Sequence, residues 1–319
     1  MHRRSVGLTA LSRRVAKKQD RGKLDAVNGV DLLHGFFGWV TNLDPIRDDD
    51  KGSYVRVADV VPAGRSVLVT VEAGRFGEPG NTWEVYTHSL SHTRTSNEAT
   101  VQRSRLLFIL PVASTVGIFA VESVAGSAGG AALVDKFKAA CLSRWDKDYW
   151  PLDRIYEKED WFALSELKQL TAVYHRWSRD IGDGSQPRRV VGRLERHLYP
   201  VEGEASLPKR LWDEIRRGDM TASSIIGSEI DDGGDDPDAV LAQVSSHGRT
   251  KQIELGNHRT PTVREVLSDA GDPPPADHEF VERCRLIADE HYQGMTGKAL
   301  PVDTVSGDWD DDALNSTWE

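Results

Sequence analysis

Cysteine is scarce in this 319-residue chain, which holds only Cys141 and Cys284. Two thiols in so long a chain exclude a disulfide scaffold, and neither stands in a CxxC pair that would suggest structural zinc. A reducing compartment, and hence a cytoplasmic location, is the expectation. Long apolar runs are missing too. Leu106–Val112 is among the longest, about a third of the roughly 20 residues that a helix needs to cross a bilayer. The opening MHRRSVGLTALSRRVAKKQD contains no apolar stretch of signal-peptide length. Neither a membrane span nor a secretory leader is therefore expected. Several catalytic signatures are absent as well: no Walker A loop, no GxGxxG, no GxSxG elbow and no Cys/His cluster with zinc spacing. No cofactor is expected, unless Mg²⁺ serves the alternative described below.

What the chain does have is a core and a segregated charge. Nine tryptophans and 39% hydrophobic residues argue against a disordered polymer. The net charge is −10, yet residues 1–23 carry eight Lys or Arg against Asp20 alone. That segment is +7, which leaves −17 for the rest. Residues 229–238 and 301–319 each hold six acids and no base. The pattern reads as a basic N-terminal arm (1–23), helical or solvated, and a mobile acidic tail (301–319).

Between them, periodicity predicts an α+β protein with a largely antiparallel sheet covered by helices and a second, smaller α+β domain. Residues 54–60, 66–73, 82–88, 105–111 and 116–123 are β-branched or alternating and read as strands, with Val67, Val69 and Val71 facing one way and Leu68, Thr70 and Glu72 the other. A glycine-rich turn, Val124–Gly130, leads into a helix carrying Val134, Phe137, Cys141 and Trp145 on one stripe. A second helix is expected from Trp161 to Leu170. The Gly/Ser/Pro run at 181–187 reads as a linker, which divides the chain into domains 24–180 and 188–300. Beyond it, a strand over RRVVGRLERHLYPV, a helix from Pro208, a hairpin through 239–255 and short helices at TVREVLSDAG and DHEFVERCRLIADEHYQG complete the reading.

Three constellations could carry chemistry. Pro151-Leu-Asp153 followed by Glu166-Leu-Lys168 matches the PD-(D/E)xK spacing, in which two carboxylates hold Mg²⁺ and a lysine orients water. That geometry needs the second acid and the lysine to alternate along a strand, and SELKQL reads as helix, so the match is treated as coincidental. His92-Thr-Arg94-Thr95 and His247-Gly-Arg249-Thr250 repeat an HxRT pattern between strands, where His92, Arg94, His247 and Arg249 are candidate anion donors. Arg3, Arg4, Arg13, Arg14, Lys17 and Lys18 form the third, a polycation for nucleic acid or an acidic protein surface.

The stretch Val71–Gly130, with GRFG, SNEAT and LLFILPVASTVGIFAVES before its glycine-rich turn, resembles a strand pattern in uncharacterised bacterial proteins of anti-phage defence or mobile-element loci. The resemblance implies a defence-type role and no catalytic residue. The reading that follows is an accessory or binding component of a multi-component bacterial system, touching nucleic acid or a protein partner through the basic segment. The alternatives are a Mg²⁺-dependent nuclease and a self-assembling scaffold, in which arm and tail would meet between subunits of a homo-oligomer.

Overall fold

The structure is a computed structural model that describes residues 2–15, 21–124, 129–154, 165–177, 190–217, 237, 239–246, 249–255 and 263–318. The chain is α+β, and it divides into two compact units: Met1–Ile155 together with Leu267–Glu319, and Tyr156–Val266. The C-terminal helix and tail therefore belong with the N-terminal sheet and not with a separate following domain. The expected linker at 181–187 lies outside the described residues. Among the described residues no helix is long and apolar enough to cross a membrane.

The sheet of the first unit is antiparallel throughout. Its strands are β1 (Arg4–Ser12), β2 (Ile46–Asp48), β3 (Ser53–Ala63), β4 (Ser66–Arg75), β7 (Thr100–Ile109), β8 (Val116–Val124) and β9 (Leu152–Arg154), in the order β2-β3-β4-β7-β8-β1-β9. Between β4 and β7 the chain forms a separate hairpin of β5 (Gly80–Glu84) and β6 (Ser89–Arg94).

The N-terminal segment is the clearest departure from expectation. Residues 4–12 are no arm: they are β1, paired along their full length with β8 from Arg4↔Val124 to Ser12↔Val116. The reason is visible in RSVGLTALS, which carries no charge from Ser5 to Ser12. Val6, Leu8 and Ala10 fall on one face and pack into the core, and the period of two outweighs the flanking charges.

Alternation gives the sheet two apolar faces. On one, Val67, Val69 and Val71 of β4, Leu106 and Phe108 of β7 and Phe119 of β8 meet helices α1 (Leu32–Thr41) and α2 (Gly129–Arg144). Phe36 of α1 stands edge-on to Phe108 (5.1 Å) and Phe137 (4.9 Å), and Phe108 stacks on Phe119 at 4.2 Å. Each such buried ring contributes about 1.5–3 kcal/mol of transfer free energy. The glycine-rich turn owes its composition to packing here. A Cβ on Gly129 would lie 2.5 Å from that of Ala73, and one on Gly130 would lie 2.9 Å from Val121, so only glycine lets α2 start this close to the sheet. Residues 125–128 of that turn lie outside the described residues.

On the opposite face, Val6, Leu8, Leu107, Ile109, Ile118 and Ala120 are covered by α4 (Asp277–Thr296), which contributes Phe280, Cys284, Ile287, Ala288 and Tyr292. Both cysteines are free and buried on helices, and burial pushes the Cys141 thiol well above its ordinary value.

The acidic tail packs down as well. After a 3₁₀ turn (Val302–Val305), Trp309 donates its indole N–H to the carbonyl of Gly64 (2.8 Å) and lies against His34 and Phe37 of α1. A one-turn helix α5 (Asp311–Leu314) follows, and Trp318 ends within 5.4 Å of Phe137 and Trp145. Spaced aromatic residues anchor this segment, whereas its acid count alone suggested a mobile tail.

In the second unit the strand order is β11-β10-β12-β13-β14, with β10 Glu166–Trp177, β11 Val190–Leu198, β12 Ala239–Ser246, β13 Arg249–Leu255 and β14 Val263–Ser268. Helix α3 (Lys209–Arg217) covers one face through Trp212, which packs with Leu167, Leu170, Ala242, Val244 and Ile253. Two expected helices are strands where they are described: Glu166–Leu170 lies in β10 and Val263–Ser268 is β14. Residues 161–164 of the former lie outside the described residues.

Candidate anion-binding face

The α4 face of the first unit's sheet changes character past the helix N-terminus. Strand alternation that buries Val6, Leu68, Leu107 and Ala120 beneath α4 continues to Arg4, Glu72, Arg103, Arg105 and Glu122, and register adds Arg56, directly opposite Glu72. Polar residues thus occupy positions at which the strands are otherwise apolar, and they pair across the strands.

Two Arg–Glu–Arg triads result. In the first, Glu72 of β4 lies between its cross-strand neighbours. Arg56 of β3 donates from Nε to Oε2 at 2.7 Å, and Arg103 of β7 donates from Nε to Oε1 at 3.0 Å. In the second, Glu122 of β8 is 0% exposed. It accepts from Arg105 three times, from the backbone N–H (2.9 Å), Nε (2.9 Å) and Nη2 (2.8 Å), and once from Arg4 Nη1 (3.0 Å). Arg105 then reaches the start of α4, donating to the Pro275 carbonyl (2.8 Å) and to Asp277 (3.1 Å), with its guanidinium 4.2 Å over the Phe280 ring. Arg4 Nη1 also lies 3.5 Å from the Arg103 carbonyl, which places the triads side by side.

The two triads differ in solvation, and so in role. Burial draws the pKa of Arg105 down, but the hydrogen bonds and charge of Glu122, helped by Asp277, outweigh it and raise the pKa above its ordinary value. This triad is a structural tie between sheet and helix. In the other triad, the hydrogen bonds from Arg103 and then Arg56 hold the Glu72 carboxyl below the usual carboxylate range. Its arginine side chains remain open, Arg103 at 71% and Arg56 at 49% exposure. One carboxylate thus fixes two guanidiniums and neutralises only one charge. Glu72 engages Arg103 through Nε, and the guanidinium is held in place by a bond that leaves its far edge toward solvent. Such an arrangement is suited to a phosphate or carboxylate, since the guanidinium forks are oriented in advance.

The residues expected from sequence are dispersed. Of the basic segment, Arg4 joins the second triad, Arg3 lies 3.7 Å from Asp269, and Arg13 is buried with Asp148 at 2.6 Å. The backbone of Arg14 bridges to Tyr149 while its side chain is exposed. Lys17 and Lys18 lie outside the described residues. Arg3, Arg4 and Arg13 thus each meet a different acid.

Asp153 is on β9 in the first unit, exposed, while Glu166 and Lys168 are on β10 in the second. Lys168 Nζ donates to Glu166 Oε2 at 2.8 Å and to the Ala205 carbonyl at 3.0 Å, and its charge holds the Glu166 carboxyl low. The helical argument against an acid-x-Lys pair is thereby overturned, because these residues lie on a strand. Among the described residues, no three His, Cys, Asp or Glu side chains are grouped to hold a metal ion.

Of the HxRT residues, His92, Arg94 and Arg249 each engage groups of the protein. His92 Nε2 is 2.9 Å from Glu98, Arg94 Nη2 donates to the Glu78 carbonyl (3.2 Å) and Nη1 to Thr100, and Arg249 Nε donates to the buried Glu265 at 3.0 Å. His247 lies outside the described residues. The triad residues Arg56, Glu72, Arg103, Arg105 and Glu122 had not been singled out as functional. Their signal was a charge at a core-facing position in four successive strands. No protein-family model matches the chain, and neither a curated protein nor a solved structure matches it.

Proposed function

We propose that this chain is a binding component that holds the phosphate backbone of a nucleic acid on the Arg56–Glu72–Arg103 row. The observation that carries the reading is the pair of exposed guanidiniums fixed by a single shared carboxylate. Side-chain ordering is a main cost of an arginine contact, and here the fold meets it before the ligand arrives. The resemblance of residues 71–130 to proteins of defence and mobile-element loci is consistent with such a role in a multi-component bacterial system. Of the described residues of the N-terminal basic segment, Arg4 braces the row from the neighbouring triad.

Titration of a labelled oligonucleotide against the full chain and the Arg56→Gln/Arg103→Gln double variant tests this. The row predicts at least tenfold weaker binding by the variant at low salt, with its circular dichroism spectrum unchanged at the temperature of the titration. Equal binding by both proteins, or none by either, removes the proposal.

A second reading, Mg²⁺-dependent phosphodiester cleavage, is favoured by one observation, the strand conformation that brings Glu166 and Lys168 together. Mg²⁺-dependent nicking that disappears in both Glu166→Ala and Asp153→Ala would support it. Activity that persists in either variant would not.

A further inference from the structure

Strands β4 and β7, which carry Glu72 and Arg103, run on past the row at Arg75 and Thr100 into the β5–β6 hairpin. Every residue from Asn81 to Thr93 is exposed. An isolated two-stranded ribbon is marginally stable in water, yet this one carries Trp83 (55% exposed), Val85, Tyr86 (92%) and Leu90 at its tip. Trp83 and Leu90 are direct cross-strand partners and share a face. The base of the hairpin is tied down: Gly77 N–H donates to the Ser96 carbonyl (2.9 Å), His92 meets Glu98 (2.9 Å) and Arg94 bonds Thr100. The aromatic tip is therefore carried on a hairpin whose base is tied down, a two-stranded sheet separate from the one bearing the arginine row.

We infer that the hairpin tip is a base-stacking platform, and that the nucleic acid held by the row is single-stranded. The inference rests on the reading above. Two features favour unpaired bases as the occupant of the tip. Trp83 and Tyr86 offer flat π faces, which stack on any base regardless of sequence. The hairpin and its stem also carry Glu78, Glu84 and Glu98 against Arg75 and Arg94, so the tip does not follow a phosphate backbone, and in a duplex the bases are already stacked. Phosphates on Arg56 and Arg103 with bases turned toward Trp83 and Tyr86 satisfy both ends of one strand segment. Trp83 lies eleven residues past Glu72 along the chain, which bounds the separation of row and tip at about 40 Å, the reach of several nucleotides.

The test is anisotropy titration of the full chain with a labelled single strand and its duplex, using Trp83→Ala, Tyr86→Ala, Trp83→Phe and Tyr86→Phe. Stacking predicts tighter binding of the single strand, about tenfold loss on each alanine substitution and recovery in each phenylalanine variant, with the dependence on salt unchanged. Tyr86 is a tip residue without buried contacts, so its variants keep the fold. Single-strand binding that depends on Arg56 and Arg103 but ignores Trp83 and Tyr86 overturns this inference alone. Absence of any binding removes the function proposed above together with it. A wild-type chain that self-associates, and turns monomeric in Tyr86→Ala without change in nucleic-acid affinity, would identify the tip as a protein interface and likewise overturn the inference.

Discussion

The two triads share one chemical pattern, yet solvation gives them opposite consequences. Glu122 has no access to water, so removing the Arg105 side chain would take two of the four hydrogen bonds from a buried carboxylate and leave it Arg4 and one backbone N–H. Arg105→Ala is expected to cost about 3–5 kcal/mol in urea unfolding, whereas Arg103→Ala, at an exposed position, should stay within about 1 kcal/mol. Similar losses at both positions would mean that the difference in burial carries no energetic weight. A further distinction comes from Glu72, whose pKa is depressed in the folded state by Arg103 and Arg56. Its stabilising contribution is present above the ordinary carboxylate pKa and is lost as pH falls through the folded value. Urea midpoints measured from pH 7 to pH 3 should therefore fall less steeply in Arg56→Gln/Arg103→Gln than in the wild type. Parallel acid limbs would contradict this. Little of the arrangement was legible in residue types, since Arg56, Glu72, Arg103 and Glu122 each look like ordinary surface charges. Only the alternation of the strands, combined with a register that sequence does not supply, brings them into a row.

Among elements, those with uninterrupted alternation were legible. Residues 66–73 and 116–123 lie in strands as their pattern required, as does 105–109 of the expected 105–111, and Val134, Phe137 and Cys141 lie on a helix. β10 was misread for a physical reason. A register shift between Leu167 and Gln169 places Leu167 and Leu170 in one core at a spacing of three, which imitates the helical period. The tail was misread because its acids were counted and its aromatics were not. Helix α1 contains Gly35 and Gly38, residues that lower helix propensity. They are the sites over which the tail passes: a Cβ on Gly38 would lie 2.2 Å from the Ser316 carbonyl oxygen, and one on Gly35 would lie 3.1 Å from the Trp318 ring. Gly38→Ala must therefore displace the backbone of the segment, at a cost of about 1–3 kcal/mol. Hydrogen exchange should rise over residues 309–318 while β4 and β7 stay protected. Unchanged exchange there would show that the tail is not seated on α1.

For the molecule as a whole, charge is the feature that sequence reported correctly in amount and wrongly in place. The excess of +7 in residues 1–23 is real, but β1 draws Arg4 into the sheet and Arg13 into a buried pair with Asp148. The strongly acidic remainder, −17 over residues 24–319, repels phosphates on average, so the proposed contact has to be local. Under the proposed function, binding depends on a small number of phosphate contacts at a defined row and not on a diffuse polycation. The slope of log affinity against log salt for a single strand measures that number, at about −0.7 for each phosphate neutralised. Comparing the full chain with Arg56→Gln/Arg103→Gln should show a slope shallower by about 1.4 in the double variant, the loss of two contacts. Identical slopes for the two proteins would contradict the assignment of the row as the anion-binding face.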